Sequence, residues 1–351
     1  MKNWLYIIYI GLMGCLVSSC QQSLDEEVQL PTIGKAQITF TIALDDIYSR
    51  ATWKENETAK DAVVGSEKEN EISLNSADSL QVLVYNLDGA LLGKVTNKEL
   101  RRISANEYRF NGYLEVNNLT SETLACRLMV YANCATNVFD IFTCHNDKNE
   151  YEVNHIPMWG VKETTLQLAK GELTQLNEPI YLLRAMAKVE VRLDESIADD
   201  FDLTSVAVDK YNTTGYVKPK YTTFIDTENM DQDTFFNPYT SLAGKSLSFT
   251  EGGEDAFYIY LPEYDNSSSP ATISMLIDGK PYTVEFKNYQ DGSAIGNPYN
   301  IVRNHYYQYI IKSVKTVDDV LIAELLYQSM PWTDVNNGNL NFGNGSGDVM
   351  N

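Results

Sequence analysis

Histidine is nearly absent from this chain of 351 residues, with three, and 27 lysines and arginines stand against 48 aspartates and glutamates, for a formal net charge of −21. Each phosphate contact needs a cation, so the acid excess argues against nucleic acid as a partner. The histidines, at 145, 155 and 305, are too scattered to supply an acid–base centre, and the carboxylates are too many for any two to stand out. The strained G-x-S-x-G elbow of α/β hydrolases is missing, as are a G-x-G-x-x-G after a strand and a phosphate loop. The run Gly343-Asn344-Gly345-Ser346-Gly347 is low-complexity tail. No enzyme and no cofactor are expected.

Cysteine is also scarce. Cys15 and Cys20 lie in an N-terminal leader, which leaves Cys126, Cys134 and Cys144, an odd number that allows no complete disulfide framework. Cys134, Cys144, His145 and His155 form no C-x-x-C or H-x-x-x-H pair, and Asp226, Glu228, Asp231 and Asp233 do not follow the spacing of an EF-hand loop. No metal site is expected, and these acids read as a solvated loop. Long helical periodicity is missing throughout, so the chain is read as all-β.

What is present begins with Met1-Lys2-Asn3 and a short apolar run, Trp4 to Leu16, ending in Val17-Ser18-Ser19-Cys20. One positive charge, an apolar stretch short for a bilayer and small residues before a cysteine make a lipoprotein signal over residues 1–20, with Cys20 the lipidated residue. Leu12-Met13-Gly14-Cys15 is a poorer version, since methionine is bulky for its position. Gln21 to Gln29, with Asp25-Glu26-Glu27, reads as a tether. The first fifty residues hold few of the charges, so the acidity belongs to the remainder.

In Lys35 to Ala51, Ile38, Phe40, Ile42 and Leu44 alternate with Gln37, Thr39, Thr41 and Ala43, the pattern of a strand with one buried face. Asp45-Asp46 then turns the chain toward Arg50-Ala51, and Arg50 is the one basic residue between Lys35 and Lys54. Two readings stay open from these residues: an ordinary first strand followed by a charged loop, or a strand that a cut after Arg50 would release, leaving an open groove.

Thr52 to Asn75 is polar and reads as an exposed loop. Leu80 to Leu87 reads as a central strand, turning at Asp88-Gly89 into Ala90 to Val95. Short strands are marked by Tyr108, Phe110, Tyr113, Leu114 and Val116, and Leu124 to Tyr131 forms another. Asn133 to Glu163 is the least regular part. Pro179 to Leu193 contains a small-residue step between Arg184 and Lys188, which places a boundary near Ala185, and a similar strand rhythm follows. It includes Phe257 to Leu261, a hairpin turning at Asp278-Gly279, and Tyr306 to Val314. Val320 to Tyr327 is a last apolar strand, with Leu321, Ala323, Leu325 and Tyr327 on one face. A loose tail follows, apolar at Leu340 and Phe342.

Taken together, Val17 to Cys20, strand 37–44 with Arg50-Ala51, Ile156-Pro157-Met158-Trp159-Gly160, Leu183 to Val191, Phe257 to Glu263 and Val302-Arg303-Asn304-His305-Tyr306-Tyr307 resemble the fimbrilin superfamily of Bacteroidales, whose subunits build type V pili. Each piece is short, but their order and spacing run through the whole chain. The resemblance implies two transthyretin-like Greek-key β-sandwich domains in tandem, assigned to 51–185 and 186–351, after a tether and removable first strand at 21–50. It implies display at the cell outer membrane through lipid on Cys20, then cleavage between Arg50 and Ala51 by a trypsin-like surface protease. It further implies donor-strand exchange into a fimbrium that supports adhesion, in which Ile38, Phe40, Ile42 and Leu44 leave. Leu321, Ala323, Leu325 and Tyr327, extended through Leu340 and Phe342, are donated, with the groove expected beside Leu80 to Leu87. The partners would be other fimbrial subunits, including anchor and tip proteins. An anchor or tip subunit, and a lipid-anchored surface binder that does not polymerise, remain the alternatives.

Overall fold

The computed structural model describes residues 34–44, 74, 77–104, 107–116, 122–134, 141–143, 156–168, 173–219, 236–253, 256–290, 293–317 and 320–331. These are mostly strand. Helix among them is confined to a 3-10 turn at Ala77–Ser79 and the short α1 (Glu195–Ala198), whose N-cap Asp194 accepts the Ser196 N–H.

In the first half the strands are β1 (Gly34–Leu44), β2 (Leu80–Tyr85), β3 (Leu91–Arg102), β4 (Glu107–Val116), β5 (Thr123–Ala132), β6 (Ile141–Thr143), β7 (Met158–Gln167), β8 (Leu173–Gln175) and β9 (Ile180–Arg184). All but β6 join one sheet in the order β4-β3-β2-β5-β7-β9-β1-β8, and β4 pairs with β1 as well, so the sheet runs round on itself. Alternate side chains fill its inside: Val82, Val84, Phe110, Leu114, Cys126, Leu128 and Val130 meet Ile38, Phe40 and Ile42 in one apolar core.

Two sequence expectations are corrected here. Leu87 does not end a strand: Asn86 and Gly89 hydrogen-bond across a turn, Gly89 takes a φ of +89°, and Leu87 is exposed. Nor is all of 133–163 irregular, because Met158 to Glu163 begins β7, a central strand between β5 and β9. Gly160 allows that packing, since a Cβ there would stand 2.4 Å from the Tyr181 carbonyl oxygen.

The second half contains β10 (Ala187–Leu193), β11 (Leu203–Val208), β12 (Thr214–Tyr216), β13 (Leu247–Ser248), β14 (Thr250–Gly253), β15 (Ala256–Leu261), β16 (Thr272–Ile277), β17 (Lys280–Glu285), β18 (Asn288–Gln290), β19 (Ser293–Ile295), β20 (His305–Val317) and β21 (Val320–Pro331). One sheet has the order β14-β15-β10-β20-β21 and another β13-β11-β16-β17, with a second core packed from both. The β16–β17 hairpin turns where expected, with Asp278 and Gly279 both at positive φ. β12 pairs with β6, so a strand of each half meets, and a third apolar cluster that includes Trp159, Leu183, Met186, Val217 and Tyr260 fills the space nearby.

Candidate functional site

β1 is the strand on which closure of the first sheet depends. Its backbone runs antiparallel to β4 over ten register pairs, from Gly34 opposite Val116 to Ala43 opposite Glu107. Its other edge is shared by two parallel neighbours in turn: Gln37 to Thr39 lie beside Leu173 to Gln175 of β8, and Ile42 to Leu44 beside Ile180 to Leu182 of β9. The Leu176 N–H donates to the Thr39 carbonyl between them. Ala36, Ile38, Phe40, Ile42 and Leu44 all point inward and are buried. The Phe40 ring sits 4.7 Å from that of Phe110, and the Thr39 hydroxyl lies 3.1 Å from the Phe110 carbonyl oxygen and 2.7 Å from Asn111 Oδ1. Burying four large apolar side chains contributes roughly 6–12 kcal/mol before ordering costs.

Taking β1 away would expose backbone donors and acceptors on two facing edges, β4 on one side and β8 with β9 on the other. The groove therefore lies between β4 and β8–β9. It does not lie beside Leu80 to Leu87, because β2 has β3 on one edge and β5 on the other and offers no free edge. Cys126 belongs to the core that β1 covers, and burial pushes its thiol up to about 12.

β9 carries the site toward the second half. After Arg184 the chain steps through Ala185 and Met186 into β10, and this step is tied by the Arg184 N–H donating to Asn304 Oδ1 and the Asn304 N–H donating to the Met186 carbonyl. Beside it Arg303 and Glu263, both buried, form an ion pair at 2.9 Å, and Arg303 Nη1 donates to the Val217 carbonyl. Lys188 lies 5.1 Å from the Tyr258 ring centroid, and Gln308 donates to Glu190. Reading the sequence missed this polar cluster, since charged residues are ordinarily surface residues; the clue was their position inside otherwise apolar strand runs.

The donor candidates Leu321, Ala323, Leu325 and Tyr327 lie on the backbone of β21, which pairs antiparallel with β20 from Pro331 opposite His305 to Val320 opposite Val317. Cys20, Arg50, Ala51, Leu340 and Phe342 lie outside the described residues, as do Cys144, His145, His155 and the acids at 226, 228, 231 and 233. Among the described residues no three histidine, cysteine or acidic side chains group so as to hold a metal ion.

No family model matches the chain, and no curated protein matches it. Among solved structures it is similar to a proposed cell adhesion protein from Bacteroides uniformis, at 8% identity and a TM-score of 0.47 over 89% of this chain and 100% of that one. It is similar also to a fimbrial assembly protein from Parabacteroides distasonis, at 14% identity and a TM-score of 0.47 over 84% and 96%. A third is the fimbrial anchor protein Mfa2 from Porphyromonas gingivalis, at 9% identity and a TM-score of 0.36 over 85% and 98%. What the fold and site define without these likenesses is an all-β protein whose first sheet is closed by its own N-terminal strand.

Proposed function

We propose that this protein is a structural subunit of a cell-surface fimbrium, a type V pilus, which supports adhesion. It is exported as a lipoprotein through Cys20, held at the outer membrane, cut between Arg50 and Ala51 by a trypsin-like surface protease and polymerised by donor-strand exchange with other subunits. In this reading residues 51–185 and 186–351 are two transthyretin-like β-sandwich domains in tandem, and anchor and tip proteins are the further partners. The supporting observation is β1 itself, a buried apolar strand paired on both edges and joined to its domain through a chain that contains one basic residue before Lys54.

The physical cycle follows from that placement. While β1 is in place it covers the edges of β4, β8 and β9 that it pairs with, so that groove takes no strand from another subunit during export. Once the chain is cut, β1 is held by contacts alone and a strand from another molecule can compete for the same ladder and the same pockets.

Mass spectrometry of the protein from assembled surface material should find a chain starting at Ala51. Arg50→Ala should reach the surface with β1 attached and form no SDS-resistant ladders. Ladders made by uncut Arg50→Ala would sink the proposal, and a surface form that keeps a lipidated Cys20 would instead identify an anchor subunit or a non-polymerising binder.

A further inference from the structure

We infer that the tip of the β2–β3 hairpin, which carries Leu87 and Leu91, rests in the lipid leaflet that holds the precursor, so that the subunit stands on one end of its first sheet with its second half pointing away from the membrane. The inference rests on the reading that Cys20 is lipidated, and it adds a surface of contact and an orientation to that reading. It concerns the uncut chain, in which β1 still joins the fold to the lipid.

Asn86 fixes the shape of the tip. Its N–H donates to the Ala90 carbonyl, its carbonyl accepts the Gly89 N–H and its Oδ1 accepts the Ala90 N–H, while Gly89 takes a φ of +89°. Much of the turn's backbone is thereby satisfied without water, as a segment entering a membrane interface requires. Leu87 is 49% exposed and Leu91 57%, and Asp88 is the one charged residue between them. Two large aliphatic side chains held into water by a hydrogen-bonded turn form a preorganised apolar prong.

Strand register places this prong at the end of the sheet where the anchored chain enters. β1 begins at Gly34 opposite Val116, and Val95 opposite Leu114 sets Gly93 level with Gly34, so Leu91 projects roughly 7 Å past the start of β1 and the turn goes further. Thirteen residues lie between Cys20 and Gly34. An unconstrained chain of that length averages about 20 Å from end to end. A lipid on Cys20 therefore holds the prong within reach of the leaflet, at an effective concentration on the order of millimolar. At the other end of the sheet Ile103 is 51% exposed, and its N–H donates to the carbonyl of Glu107, which faces Ala43, so it lies roughly 30 Å from Gly34. That far end is also where β9 leads into the second half, since Leu182 lies beside Leu44.

Charge narrows the kind of lipid surface. The net charge of −21 disfavours an anionic leaflet, and Asp88 does so at the tip itself, so the surface that fits is zwitterionic. Lys94 is exposed and lies three residues from Leu91 along β3, roughly 10 Å, which sets its ammonium at the depth of headgroup phosphates. Tyr113 and Leu173 are exposed as well, but both lie level with Gln37, three residues inside Gly34. An upright subunit keeps them clear of the leaflet.

The full-length lipidated chain with Arg50→Ala, which keeps β1 and its tether attached, tests this in phosphatidylcholine vesicles brominated on the acyl chains. Leu87→Trp and Leu91→Trp should each add emission that bromine quenches, and Ile103→Trp should add emission that it leaves unchanged, each read against the parent chain. Leu87→Ser with Leu91→Ser should speed transfer of the lipidated protein to acceptor vesicles about tenfold, and Ile103→Ser should leave the rate as it was. Unquenched emission from Leu91→Trp, including a blue-shifted signal from a tip covered by a second copy, would overturn the inference. So would Tyr113→Trp quenched as strongly as Leu91→Trp, which would mean that the subunit lies on its side, and so would equal transfer rates for the two serine variants. Each of these results leaves the lipoprotein reading standing. A chain that takes up no fatty acid at Cys20 would defeat that reading and the inference together.

Discussion

Two buried regions of the molecule differ in what they ask of their occupants. The slot around β1 is lined by aliphatic and aromatic groups and makes one polar side-chain demand, at Thr39. The step between the halves is packed around Arg303, Glu263, Asn304, Lys188 and Glu190, each joined to a named partner. An apolar slot accepts any strand with the right sizes in the right order, because area burial is not directional. A buried charge accepts only its counter-charge. The molecule thus has one region that makes few directional demands and one that makes several, on either side of β9.

The largest effect on this contrast should come from deleting residues 1–50. That removes β1 and roughly 6–12 kcal/mol of burial from one region and nothing from the other. Amide exchange in a monomeric preparation should lose protection along β4 and β9 and keep it along β10, β15 and β20. Equal protection of β4 with and without β1 would mean that the sheet closes by other means. At single-residue scale, Phe40→Ala should cost about 3–5 kcal/mol in the uncut chain by urea denaturation. It should cost nothing once the strand has been cut away.

Glu263→Ala attacks the other region. Arg303 would be left buried without its carboxylate, at a cost of about 3–5 kcal/mol, whereas changing both residues to methionine should come close to neutral. The test is the urea midpoint of each variant. A double change as damaging as the single one would show that the hydrogen bond from Arg303 to the Val217 carbonyl, and not the ion pair, holds the step.

Alternation made β1 legible in the sequence, as it did β5 and β10, because each has one face to a core and a period of two. β7 was obscured because Met158 to Val161 is buried on both faces and so has no alternation to read. Beyond Val95, β3 passes an irregularity at Asn97 and Lys98, where Asn97 takes a φ of +47°, and pairs with β4 again from Glu99 to Arg102, a largely charged run that carries little strand signature. The apolar face of the site residues on β1 could be read locally. Its neighbours could not, since β4 and β9 lie far along the chain and register is a tertiary property.

The smallest effect concerns the far side of β10, where Asp194 caps α1 and pairs with Lys312 of β20. Burial alone would push the Asp194 carboxyl up, but hydrogen bonds from Lys312 and from Ser196, side chain and backbone, outweigh it and hold the carboxyl below the ordinary carboxylate range. Its folded value lies below its unfolded one, so the native state favours the charged form. The stability it adds is fully present above the unfolded value near pH 4 and is lost as pH falls through the depressed folded value. Asp194→Asn keeps a good capping side chain and removes the charge, so it should cost a few tenths of a kcal/mol at pH 7, as for a partly exposed pair. That deficit should shrink toward zero in urea titrations carried below pH 4. A deficit in Asp194→Asn that holds constant from pH 7 to pH 2 would mean that shape, and not charge, fixes this corner.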